Sequence, residues 1–143
     1  ILGESRTGKS RSIEEFQAKH CPMRTEEGVE TPVLRVVTPA KPTTKGLAES
    51  LLRAMGDPKA DRGTEQAKTA RIATLMRACG TRMLVIDEFQ HFYDRGSEKV
   101  IHDVANWLKN LVDETRVALV VAGLPYCEAV LEQNEQLAGR FLA

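Results

Sequence analysis

Aromatic residues are scarce in this chain, 5% of 143 positions with a single tryptophan, so no row of rings is available on which successive bases could stack. Cysteine is nearly as rare. Cys21, Cys79 and Cys127 lie far apart, form no C-x-x-C pair and have no histidine at zinc-ligand spacing, which excludes a zinc site and points to free thiols in a reducing compartment. No stretch approaches the roughly 18 uninterrupted apolar residues of a membrane span. A soluble, cytoplasmic protein with no membrane partner is therefore expected. Internal repeats, low-complexity tracts and linker-like segments are missing too, and the length suits one domain over residues 1–143. Net charge is zero. Its distribution is uneven: residues 35–82 carry ten Lys and Arg against four acids, a net +6, whereas residues 83–143 carry five against ten, a net −5. Such asymmetry points weakly to a polyanion held on one face.

What is present begins at the first residues. The stretch "GESRTGKS" has Gly3, four residues, then Gly8-Lys9-Ser10, and fits the phosphate-loop pattern G-x-x-x-x-G-K-[ST] without a gap. Ile1 and Leu2 precede it as the end of a strand. In such a loop backbone N–H groups turn inward around a phosphate while the following helix offers its positive end. Gly3, Glu4, Ser5, Arg6, Thr7, Gly8, Lys9, Ser10 and Arg11 are the expected ATP-binding residues. Lys9 would reach the β- and γ-phosphates and the Ser10 hydroxyl would ligate Mg²⁺.

Further along, "KSRSIEEFQAKH" predicts a helix with Ile13 and Phe16 on one face, ended by Cys21-Pro22. "TPVLRVVTP" predicts a short strand. A helix follows with Thr43 or Thr44 as N-cap and Gly56 as stop, then a second capped by Thr64 and stopped at Gly80. "RMLVIDEFQHF" is a continuous apolar run ending in two acids, as in a strand buried on both faces. Helical spacing of Val100, Val104, Leu108 and Leu111 predicts a helix over 97–114, with Trp107 in or near the core and its ring nitrogen satisfied. "VALVVAG" is another buried strand, and the last helical stretch breaks near Asn134. Strands alternating with helices give an α/β fold, a parallel sheet covered on both faces.

The "MLVIDE" strand supplies the second element of nucleotide chemistry. Asp87 is expected in the Mg²⁺ shell and Glu88 as the residue that polarises the attacking water. Two adjacent carboxylates repel each other unless a cation is near. No [NT]-K-x-D guanine-reading motif occurs, which favours ATP.

Together, "GESRTGKS", "LVIDEFQHF", "VALVVAG" and the terminal "NEQLAGRF" resemble the AAA+ core of the TniB and TnsC group of bacterial transposition ATPases, over nearly the whole chain. The resemblance implies a three-layer P-loop NTPase with strand order 5-1-4-3-2, here lacking the last strand and the helical lid and with the first strand abbreviated. It implies Mg²⁺-dependent ATP hydrolysis, a ring or filament of identical subunits on duplex DNA, and a transposase partner whose target the assembly marks. Arg140 would be the arginine that reaches a neighbouring subunit's γ-phosphate, completing a catalytic set with Lys9 and Glu88. Helices after the second strand would face the DNA, with Lys41, Lys45 and Thr64 as backbone phosphate contacts that read no sequence. One departure stands out: Gly123 and Leu124 occupy the place where such ATPases carry a polar, water-orienting residue. Slow hydrolysis follows, or Gln90 or His91 substitutes. His20 and His102 are surface or helix-end residues. A competing reading is an ATPase of secretion or signalling that acts on proteins without DNA, and a P-loop kinase would need an acceptor pocket for which no motif speaks.

Overall fold

Apolar β-branched runs at 33–37, 83–87 and 118–121 become the strands of one parallel sheet. In the computed structural model, which describes residues 1–135, 137 and 138 apart from the Val130 side chain, β3 (Val33–Val37), β4 (Met83–Asp87) and β5 (Ala118–Val121) lie side by side in that order. Val33 aligns with Met83 and Val37 with Asp87, while Met83 aligns with Ala118 and Ile86 with Val121. The Ile1-Leu2 stub adds to the far side of β5: Leu2 bridges Gly123 in parallel, and Gly123 N–H donates to the Ile1 carbonyl at 3.1 Å. The stub thus stands beside β5, with β4 and then β3 beyond, which agrees with the 1-4-3-2 part of the expected strand order.

Strand alternation distributes side chains to two faces. Leu34, Val36, Leu84, Ile86 and Val121 point into the larger core, filled by α2 (Thr44–Ala54), α3 (Glu65–Ala78) and α5 (Glu98–Thr115). Val33, Val85 and Ala122 face the other way, onto Ile13 of α1 (Lys9–Lys19). Helices on both faces of a parallel sheet make three layers. Thr43 caps α2 by accepting from Gly46 N–H, and Thr64 caps α3 by accepting from Ala67 N–H. Trp107 is buried, and its ring nitrogen donates to Thr69 of α3 at 2.8 Å, a partner distant in sequence. A short helix, α4 (His91–Arg95), follows β4, and α6 (Cys127–Gln133) ends at Asn134.

Two features depart from the sequence reading. An antiparallel hairpin, β1 (Met23–Thr25) and β2 (Gly28–Glu30), fills the connection after α1, with every residue of both strands exposed. Phe16 does not join Ile13 inside. It is 41% exposed and rests on His20, ring centroids 4.4 Å apart, because the small α1-side core closes on Ile13 alone.

Candidate functional site

Alternation along β3 and β4 also decides which polar groups meet. Arg35 and Asp87 share the parity of Val33 and Val85, so both side chains fall on the α1 face, at the end of the sheet where residues 3–10 turn into α1. Ser10, in the first turn of α1, donates to Asp87 Oδ2 at 2.9 Å, joining two motifs 77 residues apart. Glu88 N–H donates to Asp87 Oδ1 at 2.9 Å, and Arg35 Nη2 donates to Oδ2 at 2.8 Å. Asp87 is only 2% exposed. Burial would raise its pKa, but the hydrogen bonds from Arg35, Ser10 and the Glu88 amide outweigh that cost and hold it below the ordinary carboxylate value.

The loop itself is shaped by two glycines for different reasons. A Cβ on Gly3 would stand 3.1 Å from Thr7 Oγ1 and 3.6 Å from Lys9 Cδ, whereas Gly8 needs its positive φ of 88° to enter α1. Arg6 also sits in the left-handed region, at φ 64°, without being glycine. Lys9 folds back over the loop and donates to the Gly3 and Glu4 carbonyls at 2.5 and 2.6 Å. Gly8, the N-cap of α1, has no side chain with which to accept from the first helical amides. Residues 5–11 and Glu88, Gln90, Gly123 and Leu124 line one cleft of about 330 Å³.

Glu88 has a left-handed backbone, φ 55°, an uncommon conformation for glutamate that turns the chain sharply after the strand. Its carboxylate accepts from Gln90 Nε2. Gln90 is 7% exposed, and its Oε1 is buried without a hydrogen-bond partner among the described residues. That carboxamide fills the space beside Gly123, where an added Cβ would come within 3.0 Å of Gln90 Oε1 and 3.1 Å of Cys127 Sγ. A family model described as Bacterial TniB protein matches residues 1–143. The chain belongs to the TniB family. No match to a curated protein was found.

For this TniB-family chain, the structure brings the Gly3–Arg11 loop, Asp87 and Glu88 to one place, and leaves other expected residues elsewhere. Arg140 lies outside the described residues. Lys41 and Lys45 are exposed near the start of α2, and Thr64 is exposed with its hydroxyl oxygen committed to the α3 cap. His91 lies 3.5 Å from the Thr38 carbonyl, a long structural contact outside the cleft lining. Arg35 was missed as a site residue. Its signal was a charged residue at the centre of an apolar strand, which is costly unless a partner awaits it.

Of the ten basic residues in 35–82, five pair with carboxylates: Arg35 with Asp87, Arg53 and Lys68 with Glu49, Arg71 with Asp57, and Arg77 with Glu114. Lys68 is fully buried. Glu49 and Asp57 belong to the same section, so only Arg35 and Arg77 pair with carboxylates outside it, and most of the net +6 is left uncompensated by these pairs.

Proposed function

We propose that this chain is the nucleotide-binding core of an AAA+ ATPase that assembles on duplex DNA with ATP and regulates transposition. The observation that carries the reading is the 2.9 Å hydrogen bond from Ser10 to Asp87, with Glu88 opening on the same cleft as the loop. The donor set also fits the ligand. The amide end of α1 behind a glycine N-cap, the Lys9 ammonium and a close-packed Gly3 suit a polyphosphate, and a hydroxyl beside a carboxylate suits Mg²⁺. When bound, Mg·ATP supplies a phosphoryl group whose developing charge the metal neutralises.

The chain's own residues do the rest. Lys9 would exchange its carbonyl partners for phosphate oxygens, and Ser10 and Asp87 would hold the metal. Glu88 orients and polarises water, with Gln90 fixing its carboxylate from the side where Gly123 leaves room. Arg140 of one subunit completes the site of the next, so that ATP links protomers, and Lys41, Lys45 and Thr64 meet DNA phosphates. Membership of the TniB family supports recruitment of a transposase as the role of this assembly.

Calorimetric titration of the full chain with Mg·ATP tests the reading. Lys9→Ala removes a charge-assisted contact of about 1.5–3 kcal/mol, about 10- to 100-fold in Kd. Glu88→Gln should keep binding and lose turnover. Wild-type affinity in Lys9→Ala, or wild-type turnover in Glu88→Gln, would remove those residues from their roles. ATP binding without any ATP-dependent retention of duplex DNA at low salt would transfer the argument to an ATPase acting on protein partners.

A further inference from the structure

Asp87 presents a problem that the fold has already solved. A carboxylate 2% exposed, next to a loop built for a polyphosphate, adds like-charge repulsion to the cost of its own burial. In a nucleotide site a divalent cation bridging the phosphates also relieves that repulsion. Here a cation belongs to the chain itself. The Arg35 guanidinium, 19% exposed, donates to Asp87 Oδ2 at 2.8 Å, the same oxygen that accepts from Ser10. Its only other ionic neighbour is Glu14 among the described residues, at 3.7 Å and 61% exposed, a pair weakened by solvent. The positive charge of Arg35 is therefore committed to Asp87. Its Nε is buried with no hydrogen-bond partner among the described residues, so the side chain keeps its place at the cost of one unmet donor.

Resting on the nucleotide-binding reading above, we infer that Arg35 is the resident counter-cation of Asp87 and lets this site bind ATP without a divalent metal ion, leaving Mg²⁺ required for hydrolysis alone. Arg35 touches neither nucleotide nor water in this scheme. It is a positioning residue that acts through Asp87.

The test is calorimetric titration of ATP into the full chain, with Mg²⁺ and with excess EDTA, for wild type, Arg35→Gln, Arg35→Lys and the double variant Arg35→Gln/Asp87→Asn. For wild type, Kd in EDTA should stay within about tenfold of that with Mg²⁺, the scale of one ionic contact. Arg35→Gln should lose at least about tenfold more affinity in EDTA than in Mg²⁺, and Arg35→Lys should recover most of it. The double variant, in which the uncompensated carboxylate is gone too, should again bind ATP in EDTA even if Arg35→Gln is too unstable to measure. Wild-type binding that collapses by about 100-fold or more in EDTA overturns the inference and leaves the ATPase reading intact. Equal losses in both conditions for Arg35→Gln, or a double variant that needs Mg²⁺, overturn it as well. No ATP binding even with Mg²⁺ would instead remove the nucleotide reading on which it rests.

Discussion

Replacing Gly123 by alanine should destabilise the fold and disturb Glu88 together. Gly123 lies outside the left-handed region, so an alanine there meets no backbone strain and the substitution tests space alone. The added methyl would stand 3.0 Å from Gln90 Oε1, 3.1 Å from Cys127 Sγ and 3.4 Å from the Gln90 backbone nitrogen. Cys127 is fully buried, so the carboxamide of Gln90 is the group most able to yield, and yielding costs its bond to Glu88. Overpacking of this kind costs about 1–3 kcal/mol. At about 2–4 °C per kcal/mol for a chain near this size, the melting temperature should fall by a few degrees, up to about 10 °C. ATP turnover should fall about tenfold, the scale of one hydrogen bond to a charged group, with ATP affinity nearly unchanged. Gln90→Ala should relieve the crowding, so the double variant should cost less stability than the two single changes added together. A Gly123→Ala protein that melts and turns over like wild type would refute the claim that Gln90 fills the space Gly123 leaves.

Lys45→Glu should weaken binding to duplex DNA and lessen its salt dependence without changing ATP affinity, as read by polarisation at several salt concentrations; unchanged DNA affinity would take the start of α2 out of the interface. Glu49 titrates below its ordinary value of 4.5, chiefly because Lys68 donates to it, so this pair stabilises the fold above that pH and its contribution is lost as pH falls through the lower folded value. In Lys68→Met the acid-side loss of melting temperature should be shallower than in wild type; equal slopes would mean that the pair contributes nothing measurable.

Much of the scaffold was legible because its signals are local. A cap such as Thr43 or Thr64 announces itself by its place before an apolar-periodic run, and an apolar strand ending in two acids marks its own carboxyl end. The order of the strands came with the resemblance, and the Leu2–Gly123 bridge agrees with it. The hairpin at 23–30 was hidden because neither strand buries a face, so no apolar alternation marks it. Phe16 misled because helical spacing says which residues share a face, not how far the opposing surface extends. Arg35 was invisible as a site residue for a different reason. Its meeting with Asp87 requires the register of β3 on β4, a fact about pairing that no single segment contains.

The same register ties the expected DNA side of the molecule to the nucleotide side. Thr38, just after β3, donates through both its backbone N–H and its hydroxyl to the Asp87 carbonyl, at 3.0 and 2.9 Å, and is itself buried. Three residues later comes Lys41, and then the first turn of α2 with Lys45. Because the sheet is parallel, the ends of β3 and β4 lie at one edge, and the backbone that delivers Asp87 and Glu88 to the cleft is the backbone on which the 38–43 loop hangs. A change in the turn at Glu88, already held at φ 55°, has a direct route to the base of α2 through two hydrogen bonds on one carbonyl. Five of the basic residues in this section pair with carboxylates, and Lys41 and Lys45, exposed at this edge, are charges whose position such a movement can alter. The proposed coupling of ATP to DNA thus has a specific physical requirement: the Thr38–Asp87 tether must hold in both nucleotide states while the turn that follows Asp87 rearranges.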